Sequence, residues 1–384
     1  MPKLNLITQP DKLFNGNTSV LLINPKTSVK EEFNKKALLF KKDINLYMFE
    51  VIDPDDQQDI KWLIEVVNSV DVIILDVNDS FLSDHNLVKG SMNLISHEQS
   101  NMLYNSTAKG LEVSGGSAAN TMIGISLMGG SSGYVGKVAS DTLGCAFRDN
   151  IELAGVHYTT PSSTNKTPTA RCFIFVTPDA ERTMNTFLGA SIQLGPDDLD
   201  LDAIAQAKVT YLEGYLWDPP MAKEAFRKAQ GLAKESDNYV ALSLSDSFCV
   251  DRHRDELRQF VENSVDILFA NEDEIRSLYR VTDFEEALNY AIRDCKFVAL
   301  TCGAQGSVIA GNGSIEVVGA SSPYGLIDTT GAGDLFAAGF LYGFTHDFDL
   351  ARCGRLGSLA AGEIISHYGA RPERDMVQFV SKSA

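Results

Sequence analysis

Residues 327–340 read IDTTGAGDLFAAGF: two aspartates, two threonines and a Gly-Ala-Gly turn run straight into an apolar segment. Such a turn at the mouth of a buried helix exposes backbone N–H groups that have no intrahelical partner. With the helix macrodipole they form an anion hole, here Gly331, Ala332 and Gly333. Phosphate is the natural guest. Asp334 then needs a reason, because a carboxylate beside a phosphate is unfavourable unless it performs chemistry or holds a metal. A general base that takes the proton of a hydroxyl attacking a γ-phosphoryl group has that position, while the N–H groups absorb the transition-state charge. An aspartate at a helix start also caps orphan donors, and that plainer role stays open at this point.

Working outward, short β-rich runs alternate with helical patterns, which predicts an α/β fold with a mainly parallel sheet. KVTYLEGYL, YVALSLSD, VDILFANEDE and FVALTCGAQGSVI read as strands; PMAKEAFRKAQGLAKES, HRDELRQFVENS and DFEEALNYAIRD read as helices between them. Ligands of open sheets bind beyond the carboxyl ends of the strands, where Ser245, Asp246, Asn271, Glu274, Thr301 and Gly303 are expected to cluster. Residues 168–190 read as an antiparallel hairpin with a Pro-Asp-Ala turn, and GLEVSGG as a further strand before the helix SAANTMIGISLMGG. These strands predict a small second sheet acting as a lid, built from about 73–115 and 168–190. Residues 1–66 read as a separate α/β unit. SVLLINP, INLYMFEVI and VDVIILDV are its strands, and Ile60, Leu63, Ile64 and Val67, at helical spacing, form a helix before the last of them.

Composition excludes several function classes. Hydrophobic residues make up 44% and no apolar run is long enough for a membrane span. A net charge of −18 opposes a nucleic acid or anionic-membrane partner. The N-terminus has no apolar signal-peptide core, and the six cysteines are scattered with no metal-ligand spacing, so free buried thiols in a reducing cytoplasm are expected. The histidines fall at element boundaries, in capping or packing roles. GGSSGYVGKV has no Walker A spacing, since Val138 follows Lys137 where Ser or Thr is needed for magnesium.

Taken together, GGSAANT (115–121) and DTTGAGDLFAAGF (328–340), with NEDE (271–274) and TCGAQGS (301–307) between them, resemble the signatures of the ribokinase-like, phosphofructokinase B type family of carbohydrate and nucleoside kinases. The resemblance spans about residues 78–372. FLSDHNLVKGSM, ERTMNTFLGA and SLSDSFCVDRHRDE are similar to the adenosine-kinase branch. It implies a three-layer ribokinase-like fold over 67–384, with a mainly parallel central sheet flanked by helices and a small β-sheet lid, acting as monomer or homodimer. It implies ATP and Mg2+ as cofactors, and Asp334 as the base. Asn271 and Glu274 would organise Mg2+ through water; Asn271, Thr301, Gly303 and Gly306 would approach ATP, with Gly357, Ser358 and Ala361 near adenine. Gly115, Gly116 and Asn120 would hold the acceptor's hydroxyls, Arg182 would balance phosphate charge from the lid, and Asp328 with Thr330 would bind K+, as in some relatives.

The chain departs from the family at its first strand, where relatives carry Gly-Asn-x-x-x-Asp. Asp71 is the matching carboxylate, but it stands one residue further from Phe81 than the family spacing, and a one-residue shift reverses a strand's faces. Three readings follow: a kinase for the 5′-OH of adenosine or a similar nucleoside, a kinase for a free sugar such as ribose or fructose, and a nucleotide-binding module without catalysis.

Overall fold

Strands that are apolar on both faces need cover on both sides, whereas strands that alternate need only one apolar partner. The computed structural model, which describes residues 62–383 apart from 69, 91, 108–110, 180–181 and 322–323, contains both kinds. In chain order they are β1 (Trp62–Asn68), β2 (Val70–Asp76), β3 (Met92–Leu94), β4 (Leu111–Ser114), β5 (Ser132–Lys137), β6 (His157–Tyr158) and β7 (Ala170–Val176). There follow β8 (Arg182–Phe187), β9 (Ala207–Glu213), β10 (Tyr239–Ser243), β11 (Ile267–Asn271), β12 (Phe297–Thr301), β13 (Ser307–Gly311) and β14 (Ser314–Val318).

Nine of them form the body sheet, in the order β14-β13-β12-β11-β10-β9-β1-β5-β6. From β12 to β6 every pairing is parallel, and β13 and β14 are antiparallel additions at one edge. The central strands are almost wholly buried, as in Val209–Glu213 and Val240–Leu242. Helices Ser117–Leu127, Ala332–Thr345 and Leu350–Ile364 pack on one another and on the sheet; Pro220–Glu235, Ser247–Ser264, Glu272–Tyr279 and Phe284–Asp294 form a second group.

The other five strands form the lid, in the order β3-β8-β7-β2-β4. Here the period of two is visible on β7: Cys172 and Ile174 face the cleft with Val72 and Met184, while Phe173 and Phe175 pack with Ile73, Leu82 and Leu103 on the other face. The hairpin expected over 168–190 is the antiparallel pair β7–β8, with Phe173 opposite Asn185.

Several expectations are corrected. Residues 62–68 are a strand, paired in parallel with β5 (Leu63 with Ser132) and β9 (Leu63 with Val209), and not a helix. Helical spacing of a few apolar residues is also what a continuous β-branched run produces by chance, and two parallel neighbours decide for the strand. A boundary after residue 66 therefore falls inside β1, which belongs to the compact unit Lys61–Ala384. VDVIILDV is β2, a lid strand. SVLLINP and INLYMFEVI lie outside the described residues. Finally, FVALTCGAQGSVI is two antiparallel strands, β12 and β13, with Thr301 opposite Ser307. Among the thiols, Cys172, Cys249, Cys295 and Cys353 are buried and free as expected, but Cys145 is exposed and Cys302 partly so.

Candidate active site

Helix Ser117–Leu127 is buried at eight consecutive positions, Ala118 to Ile125, so it has no solvent face. It crosses helix Ala332–Thr345 at Gly124, where even a methyl group would come within 2.8 Å of Ala338 Cβ. One turn before that crossing on each helix stand Asn120 and Asp334. The tight crossing brings them together: Asn120 Nδ2 donates to Asp334 Oδ2 at 2.7 Å. Ser117, one further turn back, has its Oγ 2.6 Å from Asp334 Oδ1. The same Oγ is 2.9 Å from Oε2 of Glu213, the last residue of β9. Ser245, just past β10, donates from Oγ to Glu213 Oε1.

These groups share the floor of a cleft of about 760 Å³ between the body and the lid. Desolvation raises the pKa of Asp334, against the opposing pull of hydrogen bonds from Asn120 and Ser117 and the charge of Arg371. Arg371 itself is fixed to the Ser114, Gly115 and Ala119 carbonyls, with donor distances of 3.2, 3.2 and 3.4 Å. Glu213 is 0% exposed; burial first and the charge of Asp334 second push its pKa up to about 8.

The Gly-Ala-Gly turn stands at the head of the Asp334 helix, with Gly331, Ala332 and Gly333 all lining the cleft. Gly331 takes φ 80° and lies so close to Ala370 that a Cβ would be 2.8 Å from its methyl group, so only glycine fits. A Cβ on Gly333 would meet nothing within 4 Å, which leaves open space for a bulky anion beside its N–H. The Ala332 N–H donates to the Thr329 carbonyl at 3.2 Å and is the least available of the three.

Of the residues expected beyond the strand ends, Ser245, Asp246, Asn271, Glu274 and Thr301 line the cleft, and Gly303 does not. Asn271 and Glu274 form a reciprocal helix cap: Asn271 N and Nδ2 donate to the two Glu274 oxygens at 2.9 and 2.6 Å, and Glu274 N donates back to Asn271 Oδ1 at 2.9 Å. Burial raises the Glu274 pKa to about 7. Among the described residues no group of three or more His, Cys, Asp or Glu side chains is set to hold a metal. A Mg2+ carried by phosphates and touching Asn271 and Glu274 through water fits this donor set; direct coordination by a protein cage does not.

The lid contributes Arg182 at the start of β8, whose guanidinium donates to Thr330 Oγ1 at 2.8 Å and lies 3.4 Å from Asp328 Oδ1. Asp328 Oδ1 also accepts from Thr330 N and Oγ1, at 3.0 and 2.8 Å. The positive charge at Asp328 and Thr330 is thus an arginine from the lid. Gly116, with φ 91°, caps the Ser117 helix and lines the cleft; Gly115 gives its carbonyl to Arg371. Asp71 lies on β2 in register with Ser114 and Arg171, directly before that glycine pair in the neighbouring strand. Asp76 and Asn78 border a separate small cavity with Phe81 and Thr107. Gly306, Gly357, Ser358 and Ala361 lie outside the cleft lining. A Cβ on Gly357 would be 2.8 Å from the Phe336 carbonyl and one on Gly306 2.0 Å from the Val318 carbonyl, so both glycines serve close backbone packing.

Sequence reasoning missed Ser117, Glu213 and Arg371. A glutamate ending the apolar run KVTYLE was the available signal, because the carboxyl end of a parallel strand points at the ligand side.

Three comparisons with known proteins agree on the fold. The model of the pfkB family carbohydrate kinases matches residues 85–375. The crystal structure of a probable sugar kinase protein from Rhizobium etli is 46% identical, superposes with a TM-score of 0.81, and is covered over 99% of its length by 85% of this chain. That of adenosine kinase from Sinorhizobium meliloti is 45% identical with a TM-score of 0.80, covering 85% of this chain and all of its own. By sequence, the 5-dehydro-2-deoxygluconokinase of Geobacillus kaustophilus is 26% identical over 265 residues, 66% of this chain and 79% of that enzyme.

Proposed function

The chain belongs to the pfkB family of carbohydrate kinases, phosphotransferases with an alcohol acceptor, and from that premise we propose that it transfers the γ-phosphoryl group of ATP to the 5′-OH of adenosine or a closely similar nucleoside. The observation that carries the reaction is the held carboxylate of Asp334, which receives Asn120 and Ser117 on its two oxygens at the head of a helix whose first N–H groups face the same cleft. In this reading Asp334 takes the proton of the acceptor hydroxyl, the hydroxyl oxygen bonds to the γ-phosphorus, and the bond from that phosphorus to the β-phosphate oxygen breaks to leave ADP. The N–H groups of Gly331, Gly333 and, more weakly, Ala332 take up the charge on the transferred group. Asn271 and Glu274 would hold Mg2+ through water, and the ion would supply neutralisation of charge on the ATP phosphates.

For the acceptor, Gly115, Gly116, Asn120 and Asp71 hold the sugar hydroxyls. What favours a nucleoside is the inner face of the lid: Val72, Leu94, Cys172, Ile174 and Met184 line the cleft and offer an apolar surface for a flat heterocycle. The adenosine kinase at 45% identity supports this choice. The sugar reading keeps the same chemistry and is favoured by the 26%-identical gluconate-type kinase. Thr301 approaches the ATP phosphates in both readings and Arg182 exchanges Asp328 and Thr330 for phosphate, whereas Gly303, Gly306, Gly357, Ser358 and Ala361, outside the cleft lining, take no contact with ATP in this reading. A K+ ion near Asp328 belongs to the same reading once Arg182 has left it.

Asp334→Asn tests the assignment of the base. The amide keeps the shape of the side chain but cannot take the proton, so turnover is expected to fall by roughly 10²- to 10⁴-fold with little change in ATP affinity. Near-normal turnover in the variant leaves Asp334 a capping role only.

A further inference from the structure

Glu213 lies under the proposed base and has no part in the reaction described so far. Its carboxyl group is completely buried. Among the described residues its hydrogen-bond partners are hydroxyl groups, and none is a cation.

The proton count at Ser117 is decisive. A serine hydroxyl carries one proton, yet Ser117 Oγ lies 2.6 Å from Asp334 Oδ1 and 2.9 Å from Glu213 Oε2. The proton belongs to the shorter contact, toward Asp334. The other contact then sets a hydroxyl lone pair against a carboxyl oxygen, which is attractive only if that oxygen carries a proton of its own. At the opposite side of Glu213, Ser245 Oγ accepts from the Tyr215 N–H at 3.2 Å, so its proton is free for Glu213 Oε1. The count calls for one proton on the pair of carboxyl groups, and the charge of Arg371 and the Asn120 donor on Asp334 place it on Glu213, whose Oε2–H donates to Ser117, whose own O–H donates to Asp334.

We propose that Glu213 is a positioning residue for the base: it donates through Ser117 to Asp334, which keeps the Asp334 carboxylate ionised and aimed at the acceptor hydroxyl. The inference rests on the reading of Asp334 as the base. The groups around Glu213 agree with it. Asp334 faces it from one helix and Ser117 from another, Ser243 and Ser245 from the end of β10, and Tyr215 and Cys249 from the segments beyond; the charged member, Asp334, is an acid. Arg371, the nearby cation, acts on Asp334. Burial and that like charge put the Glu213 pKa at about 8. Ionisation of Glu213 then sets two carboxylates in competition for the one Ser117 proton, and Asp334 loses a donor while gaining a negative neighbour.

The test is the pH profile of kcat, read together with the infrared carbonyl band of a protonated buried carboxyl group. The unmodified protein is expected to lose kcat as the pH rises through about 8 and to show that band at pH 7. Glu213→Gln offers an amide donor to Ser117 and a carbonyl to Ser245 at every pH, so the alkaline fall should vanish and the band should lose the share that Glu213 gives it. Glu213→Ala should lower kcat by roughly 10- to 100-fold with the ATP KM little changed, and glutamine should restore most of the loss. The infrared band needs no turnover, so it tests the proton on Glu213 even if Asp334 is not a base. A Gln variant that keeps the alkaline fall, or that keeps the band at full strength, overturns the proposal.

Discussion

Two carboxyl groups bridged by one serine hydroxyl set the chemistry of this site, and their stability signature follows from their burial. An unfolded glutamate titrates near 4.5, and Glu213 in the fold near 8. A group whose folded pKa is raised contributes stability that is complete below the unfolded value and is lost as the pH rises through the folded one. Glu213→Gln removes that loss. The melting temperature of the variant should therefore match the unmodified protein near pH 4.5 and gain on it steadily to about pH 8, as followed by circular dichroism. A difference that stays constant with pH contradicts the buried, proton-holding assignment. At this scale the sequence announced some members of the site and hid others. Asp334, Asn120 and the Gly-Ala-Gly turn lie inside short, dense motifs whose residue types have few other uses. Glu213 and Arg371 are single charged residues in ordinary surroundings, and their roles exist only because the fold brings residues 117, 213, 334 and 371 to one place.

Among the elements, the lid hairpin was legible because β7 and β8 alternate and are joined by a short turn, with no helix between them. The first strand was not legible. WLIEVVN has the spacing of a helix face as well as the composition of a buried strand, and only its pairing with β5 and β9 separates the two. The passage from β1 to β2 is also invisible in sequence: residues 62–76 serve the centre of the body sheet and then the lid. The chain thereby ties lid to body, and Arg182 ties them again through Thr330 and Asp328. In the proposed reaction, closure of this lid over two substrates would exclude water from the phosphoryl group. Hydrogen exchange over β7 and β8, residues 170–187, should slow when adenosine and a nonhydrolysable ATP analogue are bound together, and less with either alone. Exchange that is unchanged by the pair of ligands removes the lid from the mechanism.

For the whole molecule, an acidic chain with a net charge of −18 attracts a polyanionic nucleotide only through local devices. The helix-start N–H groups beside Asp334 and the guanidinium of Arg182 both face the cleft, and the proposed function gives them that part. The alternation of strands and helices was enough to read the body architecture, whereas the proposed acceptor rests on the apolar lining of the lid, whose residue types alone name no single acceptor. The proposed reaction is the phosphorylation of a nucleoside hydroxyl by ATP. It is tested most directly by ADP release from the full-length protein across a panel of nucleosides, ribose, fructose and 5-dehydro-2-deoxygluconate. Adenosine or a close nucleoside should give the highest kcat/KM, by at least roughly tenfold, the discrimination worth about 1.4 kcal/mol of apolar contact with the base. A free sugar used as well as or better than every nucleoside contradicts the nucleoside assignment, and ATP binding with no ADP release on any acceptor contradicts the claim of phosphoryl transfer itself.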